Sequence, residues 1–278
     1  MPEFGFLPPD LNGPWHALFL IAVAFVGSAM TAAFAIGGGL LMIAVMSATL
    51  PPLVVVPVHG VLLLGSNVSR AAILRKHIDL RTVAAFAVGA VIGATIGSQV
   101  VTTLPAAGLR IAIAGFILFT QWGPKISMPT GQVSLGIAGA ISTFLTLFVG
   151  ASGPFITSIL SKVERYARQD LIATVGACMS LQHGVKVIVF ALLGFAYGPW
   201  LPFIAVALVA TYLGTAVGAK LLGRMREQDF RFALKTILTV LAIYLLILAS
   251  MDLFRSKDAE AGPDDRNGPT TELEQPQL

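Results

Sequence analysis

Apolar residues are grouped into ten stretches between His16 and Ser250, separated by short polar segments. Eight stretches come close to the ~20 residues that a helix needs to cross a bilayer, and two are clearly shorter. Within each stretch the apolar residues are continuous, whereas the strands of a membrane barrel would alternate. The pattern therefore predicts an all-α, polytopic membrane helix bundle. The stretches are 17–36, 40–50, 53–74, 82–101, 107–123, 132–149, 154–161, 170–193, 200–222 and 232–250.

The two short stretches, 40–50 and 154–161, each follow a cluster of glycines. The first cluster is Gly37–Gly39, and the second runs from Gly150 to Gly153 and precedes Pro154. Because these stretches are too short to span as straight helices, we predict half-helices or re-entrant arms that begin inside the membrane. The sequence leaves open whether they span or re-enter.

The two halves of the chain resemble each other in the order of their glycines and polar residues. Residues 34–40 match 148–154, and residues 59–70 match 175–186, at offsets that drift only from 114 to 121 along the chain. We interpret this as a tandem duplication that gives two repeats of about five membrane segments each. The predicted regions are a first repeat at 1–125, a second repeat at 126–252 and a disordered polar C-terminal tail at 253–278.

Lysine and arginine are concentrated in four loops between the apolar stretches. Placing these loops in the cytoplasm satisfies the positive-inside rule if each half has five crossings, counting the short arm as one. Five is odd, so the repeats would be inverted, with both termini outside. If the arms re-enter, the repeats are parallel and two basic loops fall on opposite sides, which the rule disfavours. The basic residues are Arg75, Lys76, Arg81, Lys125, Lys162, Arg165, Arg168, Arg224, Arg226 and Arg231.

The composition agrees with a membrane protein. The 278 residues are 56% hydrophobic and only 12% charged, against roughly 25% charged in a soluble domain. The pI near 9.4 does not indicate nucleic-acid binding, because the basic residues follow the loops. The single cysteine, Cys178, excludes an intrachain disulfide framework and a Cys-based metal site. The N-terminal segment has no basic region, so we expect a retained span and not a signal peptide.

No Asp or Glu lies deep in a predicted span, although proton and cation pathways usually use buried carboxylates. The polar residues predicted inside are cationic, neutral or titratable, a set that can solvate an anion: His59, Asn67, Arg70, Gln99, Gln182, His183 and Lys186. We predict a substrate-binding site formed by six residues of the glycine breaks and six of these polar residues. It comprises Gly37, Gly38, Gly39, His59, Asn67, Arg70, Gly150, Ser152, Gly153, Gln182, His183 and Lys186.

The glycine clusters support the same anion chemistry. A helix that begins inside the membrane leaves its first N–H groups unpaired and is positive at that end, as at the broken helices of transporters. The alternative is that glycines only allow close helix packing. We adopt that alternative for Gly93 and Gly97 and for Gly214 and Gly218.

Two cations are placed on either side of the bilayer centre. With inverted repeats, Arg70 would lie toward the cytoplasm and Lys186 toward the outside, so that each attracts the anion from one side. The alternative for Arg70 is that it snorkels to the interface, and the alternative for His59 is simple helix packing. His183, near the centre, would couple transport to protons by titrating. No enzymatic motif is present, so we predict no catalytic residue, no metal site and no cofactor.

The run from Gly37 to Leu41, followed by Pro51–Pro52 and the loop 75–81, resembles the sulfite exporter TauE/SafE family. So do Gly150–Pro154 and Ala173–Thr174 in the second half. The resemblance implies export of small sulfur-containing anions, such as sulfite or organosulfonates, and sometimes of other organic anions.

The resemblance covers roughly residues 17–250 and has two departures. The second half has Gly-Ala-Ser-Gly at 150–153 where the family often has a denser glycine run, and His59-Gly60 stands where the family often has Ala-Thr/Ser. These departures leave the substrate open.

We therefore expect a secondary exporter of sulfite, sulfoacetate or another organosulfonate that works by alternating access in the bacterial inner membrane. Import of a related anion, or a non-transporting membrane assembly or sensor protein, are the alternatives. The expected partners are a small anion and the lipid bilayer, with protons as a candidate coupling ion and no nucleic acid. The sequence leaves the direction, the coupling ion and the oligomeric state open.

Overall fold

The computed structural model describes residues 8, 10–34, 37–101, 105–124, 128–150, 152–221 and 227–260. Within these ranges the chain forms ten α-helices and no strand. Seven of the helices are long and apolar enough to cross a membrane, which confirms the predicted all-α, polytopic bundle. The helices are α1 (Pro14–Phe34), α2 (Gly38–Thr49), α3 (Pro52–Ile73), α4 (Leu80–Val101), α5 (Ala106–Trp122), α6 (Gln132–Val149), α7 (Gly153–Leu160), α8 (Arg168–Leu192), α9 (Leu201–Leu221) and α10 (Glu227–Glu260).

Two of these helices are short and begin at the glycine clusters, as predicted. Helix α2 has 12 residues and α7 has 8. Gly37, just before α2, has φ +93°, and Gly150, just after α6, has φ +73°. Because few side chains tolerate a positive φ, glycine at these positions allows the chain to turn at each break. Pro154 lies in the first turn of α7, where a missing N–H leaves no hydrogen bond unmade.

The paired glycines of α4 and α9 form close helix contacts, as the packing interpretation predicted. A Cβ on Gly93 would overlap the backbone of Ala140 in α6, and a Cβ on Gly214 would overlap the backbone of Phe25 in α1. The next glycine of each pair meets a residue about one turn further along the same partner helix. These contacts are Gly97 to Phe144 and Gly218 to Ala29. The pairs α4–α6 and α1–α9 are therefore parallel.

Helices α3 and α8 pack against each other in antiparallel directions. Leu64 contacts Gly184, while Ala71, nearer the end of α3, contacts Gly176, nearer the start of α8. Helices α5 and α10 are also antiparallel, and both pairs join one half of the chain to the other. The contacts that show this for α5 and α10 are Arg110 with Asp252 and Trp122 with Thr239.

The loops 74–79 and 161–167 meet at one end of the bundle, which we call the basic end. The carboxylate of Asp79 accepts hydrogen bonds from the hydroxyl of Tyr166 at 2.7 Å and from the guanidinium of Arg165. Burial raises the pKa of Asp79, but hydrogen bonds led by these two outweigh it and hold that pKa well below its usual range. At neutral pH an ion pair therefore joins the two halves at this end.

Helix α10 continues to Glu260, so residues 253–260 are helical. This corrects the predicted start of the tail, which the change to a polar composition had suggested. The remainder of the predicted tail, 261–278, lies outside the described residues, as do Lys125 and the basic loop at 222–226.

Candidate functional site

The two glycine breaks meet at a cavity inside the bundle, which we call the central cavity. Its volume of about 50 Å³ suits a small ion. Helices α1, α2, α3, α7 and α8 all contribute to its wall. The polar and glycine residues that line it include Ser28, Thr31, Gly37, Gly38, Gly39, Ser66, Asn67, Arg70, Gly153, Thr157 and His183.

Both half-helices begin at this cavity. Gly38, the first residue of α2, packs so closely on Gly27 in the second half of α1 that a Cβ at either position would overlap backbone. The break therefore lies within the depth of the bundle. Gly153, the first residue of α7, also lines the cavity. Two helix N-termini, each with unpaired N–H groups and a positive dipole end, are thus brought to one space.

Arg70 supplies positive charge to the central cavity. Its side chain is buried and its Nη2 donates to Oδ1 of Asn67 at 3.0 Å. Asn67 in turn donates from Nδ2 to the carbonyl oxygen of Leu63 at 2.7 Å, which orients its amide. The Nε of Arg70 is buried without a hydrogen-bond partner among the described residues. Arg70 therefore does not snorkel to the interface, and it retains a donor for a ligand.

His59 contacts the first break from outside the central cavity. It is fully buried, and its Nε2 lies 3.1 Å from the carbonyl oxygen of Gly39. Because a carbonyl can only accept, Nε2 is the donor in this bond. The ring also lies beside Gly150, where a Cβ would come within 3.2 Å of Nδ1. His59 thus contacts both breaks without lining the cavity.

Lys186 holds the second break. It is fully buried, and its Nζ donates to the carbonyl oxygen of Gly150 at 3.0 Å. Its side chain runs directly over Gly60 of α3, where a Cβ would come within 2.6 Å of Cε. The absence of a side chain at Gly60 therefore makes room for Lys186. Unlike Arg70, Lys186 does not line the central cavity.

Three buried polar side chains, Ser142, Ser152 and Gln182, form a hydrogen-bonded cluster next to the second break. Gln182 donates from Nε2 to the hydroxyl of Ser152 at 2.6 Å and accepts from the hydroxyl of Ser142 through Oε1. All three residues are fully buried. The cluster ties the residue before α7 to α6 and α8, so it fixes the position of the second break.

His183 lies on α8 beside Gln182 and one turn before Lys186, but unlike them it faces the central cavity. It is buried, lines the central cavity, and its Nδ1 has no hydrogen-bond partner among the described residues. An unpaired imidazole nitrogen in the wall of a cavity can meet a ligand or exchange a proton.

The twelve predicted site residues therefore divide into two groups. Seven line the central cavity, namely Gly37, Gly38, Gly39, Asn67, Arg70, Gly153 and His183. The other five lie in a closed layer behind it, namely His59, Gly150, Ser152, Gln182 and Lys186. Gln99 of the predicted interior set is exposed near the end of α4, which corrects that prediction.

Sequence reasoning missed several hydroxyl groups of the site, namely Ser28, Thr31, Ser66, Ser142 and Thr157. One signal could have found two of them. Ser28 and Ser142 are separated by 114 residues, the same offset that relates the two glycine breaks.

A bundle of long apolar helices with two broken helices that begin at a buried, cation-lined cavity is the architecture of a polytopic membrane transport protein. The chain belongs to the sulfite exporter TauE/SafE family, whose family model matches residues 20–245. Membership makes this protein a multi-pass membrane transporter. No curated protein and no solved structure matches the chain.

Proposed function

We propose that the protein is a secondary exporter of a small sulfur-containing or organic anion, such as sulfite, sulfoacetate or another organosulfonate, in the bacterial inner membrane. The central cavity carries the proposal. Its described lining combines two helix N-termini with the guanidinium of Arg70 and includes no carboxylate. Such a lining attracts an anion and would bind a bare metal cation poorly.

Alternating access between inverted repeats is supported by the directions of the helices. If the repeats are inverted, helices that correspond in the two halves run in opposite directions. The corresponding helices that pack together, α3 with α8 and α5 with α10, are both antiparallel. The described loops rich in Lys and Arg, 74–79 and 161–167, then share one side, which the positive-inside rule makes cytoplasmic.

The position of the cavity supports an inward-facing state. Arg70 lies within one turn of the end of α3 at Ile73, and Thr157 lies within one turn of the end of α7 at Leu160. The central cavity therefore extends from the breaks toward the basic end. In this orientation an anion would enter from the cytoplasm, as an exporter requires, and Lys186 would become accessible only after the second break moves.

Protons are the proposed coupling ion, and the unpaired Nδ1 of His183 in the cavity wall is the proposed exchange site. Import of a related anion would use the same site in the reverse direction. A membrane assembly or sensor protein would not need a charged cavity at all.

Transport by purified protein in liposomes tests the proposal. Labelled sulfite, sulfoacetate and taurine are offered to wild type, to Arg70→Gln and Lys186→Ala, and to the control Lys220→Ala, an exposed lysine at the end of α9. We expect saturable flux of at least one anion in wild type and control, and its loss in the two site variants. Folded wild type that moves none of the three would favour the assembly or sensor alternative.

A further inference from the structure

The two half-helices, α2 and α7, are packed differently on the sides that face away from the central cavity. Helix α10 packs along α2, and the side chain of Leu234 lies directly against Gly37. The repeat makes α5 the counterpart of α10 and α7 the counterpart of α2. Over their described residues, α5 makes no comparable contact with α7. A second cavity of about 270 Å³ lies between α5, α6 and α7 instead, and we call it the lateral cavity.

The lateral cavity is apolar. Its wall includes Phe116 and Phe119 of α5, Leu145 of α6 and Phe155 of α7. The hydroxyl of Thr120, which also lines it, is already bonded to a backbone carbonyl of its own helix. Because such a wall offers water few hydrogen bonds, the cavity is expected to exclude water.

The mouth of the lateral cavity is continuous with the lipid-facing surface. Phe119, at its edge, is 44% exposed, and so is Ile111 two turns earlier on the same apolar helix, α5. On the adjoining helix α6, Ile141 is 42% exposed. Exposed apolar side chains on the outer helices of a membrane bundle face lipid hydrocarbon. The groups that lie against this mouth are therefore the acyl chains of the bilayer.

We propose that the lateral cavity is a binding site for one acyl chain of a bilayer lipid. The site exists because α7 is only eight residues long and α5 does not cover it. The position of the lateral cavity along the membrane normal suits an acyl chain, because its lining runs from Pro154 at the second break to Gly123 after the end of α5. An acyl chain from the leaflet at the basic end would enter along that path.

Helix α7 separates the acyl chain from the anion. Gly153 and Thr157 face the central cavity, Phe155 and Ser158 face the lateral cavity, and Pro154 lines both. A bound chain supports α7 from behind in this conformation. If α5 closes on α7 as α10 closes on α2, the chain is expelled. This last link rests on the alternating access proposed above, whereas the acyl-chain site does not.

The test is photolabelling with a phospholipid that carries a diazirine in its acyl chain. Liposomes that contain the protein are irradiated and the labelled residues are mapped by peptide mass spectrometry. Phe155 is only 8% exposed, so label on it requires a chain inside the cavity. Thr120→Trp fills the cavity from α5, Leu145→Trp fills it from α6, and Ile111→Trp is the matched control on the lipid-facing side of α5.

We expect α7 of wild type to be labelled severalfold above its exposure, with severalfold loss in a folded cavity-filling variant and none in Ile111→Trp. Label on α7 that matches its exposure, or that survives both cavity-filling substitutions, would overturn the site. The labelling needs no anion, so its outcome is independent of whether the proposed transport is correct.

Discussion

Three pairs of residues that the predicted duplication makes equivalent lie in unlike surroundings. In the first repeat, Ser28, Ser66 and Arg70 open onto the central cavity. Their counterparts in the second repeat, at offsets of 114 and 116, are Ser142, Gln182 and Lys186, and all three are fully buried behind the second break. We call the first three residues the open half-site and the last three the closed half-site, and the two occur in the same conformation.

The two half-sites also differ in how their polar groups are used. Arg70 keeps a donor free, whereas Lys186 is bonded to Gly150 and Gln182 is bonded to Ser152. The closed half-site is therefore held by hydrogen bonds that an anion would have to replace. This difference is what an alternating-access transporter would show in one of its two states, and it can be tested residue by residue.

The largest effect is expected for Arg70→Gln. The variant removes the one guanidinium of the described cavity lining, and a hydrogen bond to a charged group contributes about 1.5–3 kcal/mol. Binding of sulfoacetate, measured by calorimetry on purified protein, should weaken roughly 10- to 100-fold. Lys220→Gln should bind like wild type. Unchanged affinity in Arg70→Gln would remove Arg70 from the open half-site.

Lys186→Met separates binding from transport. Because Lys186 lies outside the central cavity, we expect sulfoacetate affinity to stay within about threefold of wild type, less than the tenfold that 1.4 kcal/mol would cause. Flux into liposomes should nevertheless be lost, since the closed half-site would open without its cation. If affinity and flux fall together, as in Arg70→Gln, Lys186 takes part in binding the anion in this conformation, and the distinction between an open and a closed half-site is wrong.

Gln182→Leu should affect stability, and its counterpart Ser66→Ala should affect it less. The leucine removes the hydrogen bonds that Gln182 makes with Ser142 and Ser152 and leaves these buried hydroxyls only their contact with each other at 3.4 Å, which costs about 1–3 kcal/mol. The measurement is the free energy of unfolding in mild detergent. Equal losses in both variants would mean that the hydrogen-bonded cluster does not stabilise the closed half-site.

The smallest effect is expected at the basic end, for Asp79→Asn. The depressed pKa of Asp79 means that its interactions stabilise the fold above the ordinary carboxyl pKa near 3.9 and are lost as the pH falls through the lower folded value. The variant should therefore melt a few degrees below wild type from pH 6 to 8, with the gap closing in acid. A gap that widens in acid would contradict this sign.

Local features of the sequence predicted much of the fold. Each apolar stretch corresponds to one helix, and the two stretches that follow glycine clusters are the two half-helices α2 and α7. The paired glycines at 93 and 97 pack as expected because small residues at that spacing lie on one helix face. The end of α10 was missed because residues 253–260 continue the helix after the composition has changed.

The site was predicted as a set of residues but not as an arrangement. All polar residues of the candidate site in α3 and α8 are buried, as their positions within apolar stretches suggested. Gln99 has the same character in the sequence, yet it is exposed, because periodicity in a uniformly apolar helix does not reveal which face turns inward. Ser142 was missed for the same reason.

By itself, the sequence determined that the chain crosses a membrane as helices and where two of them break, since hydrophobic length and glycine act over a few residues. Only the tertiary structure decided which cation faces the central cavity, because Arg70 and Lys186 are equivalent by spacing. The choice depends on contacts such as Lys186 with Gly150 and Gly60, which join different helices of the bundle. The tertiary structure also decided that α5 does not pack along α7, which no local pattern of the sequence encodes.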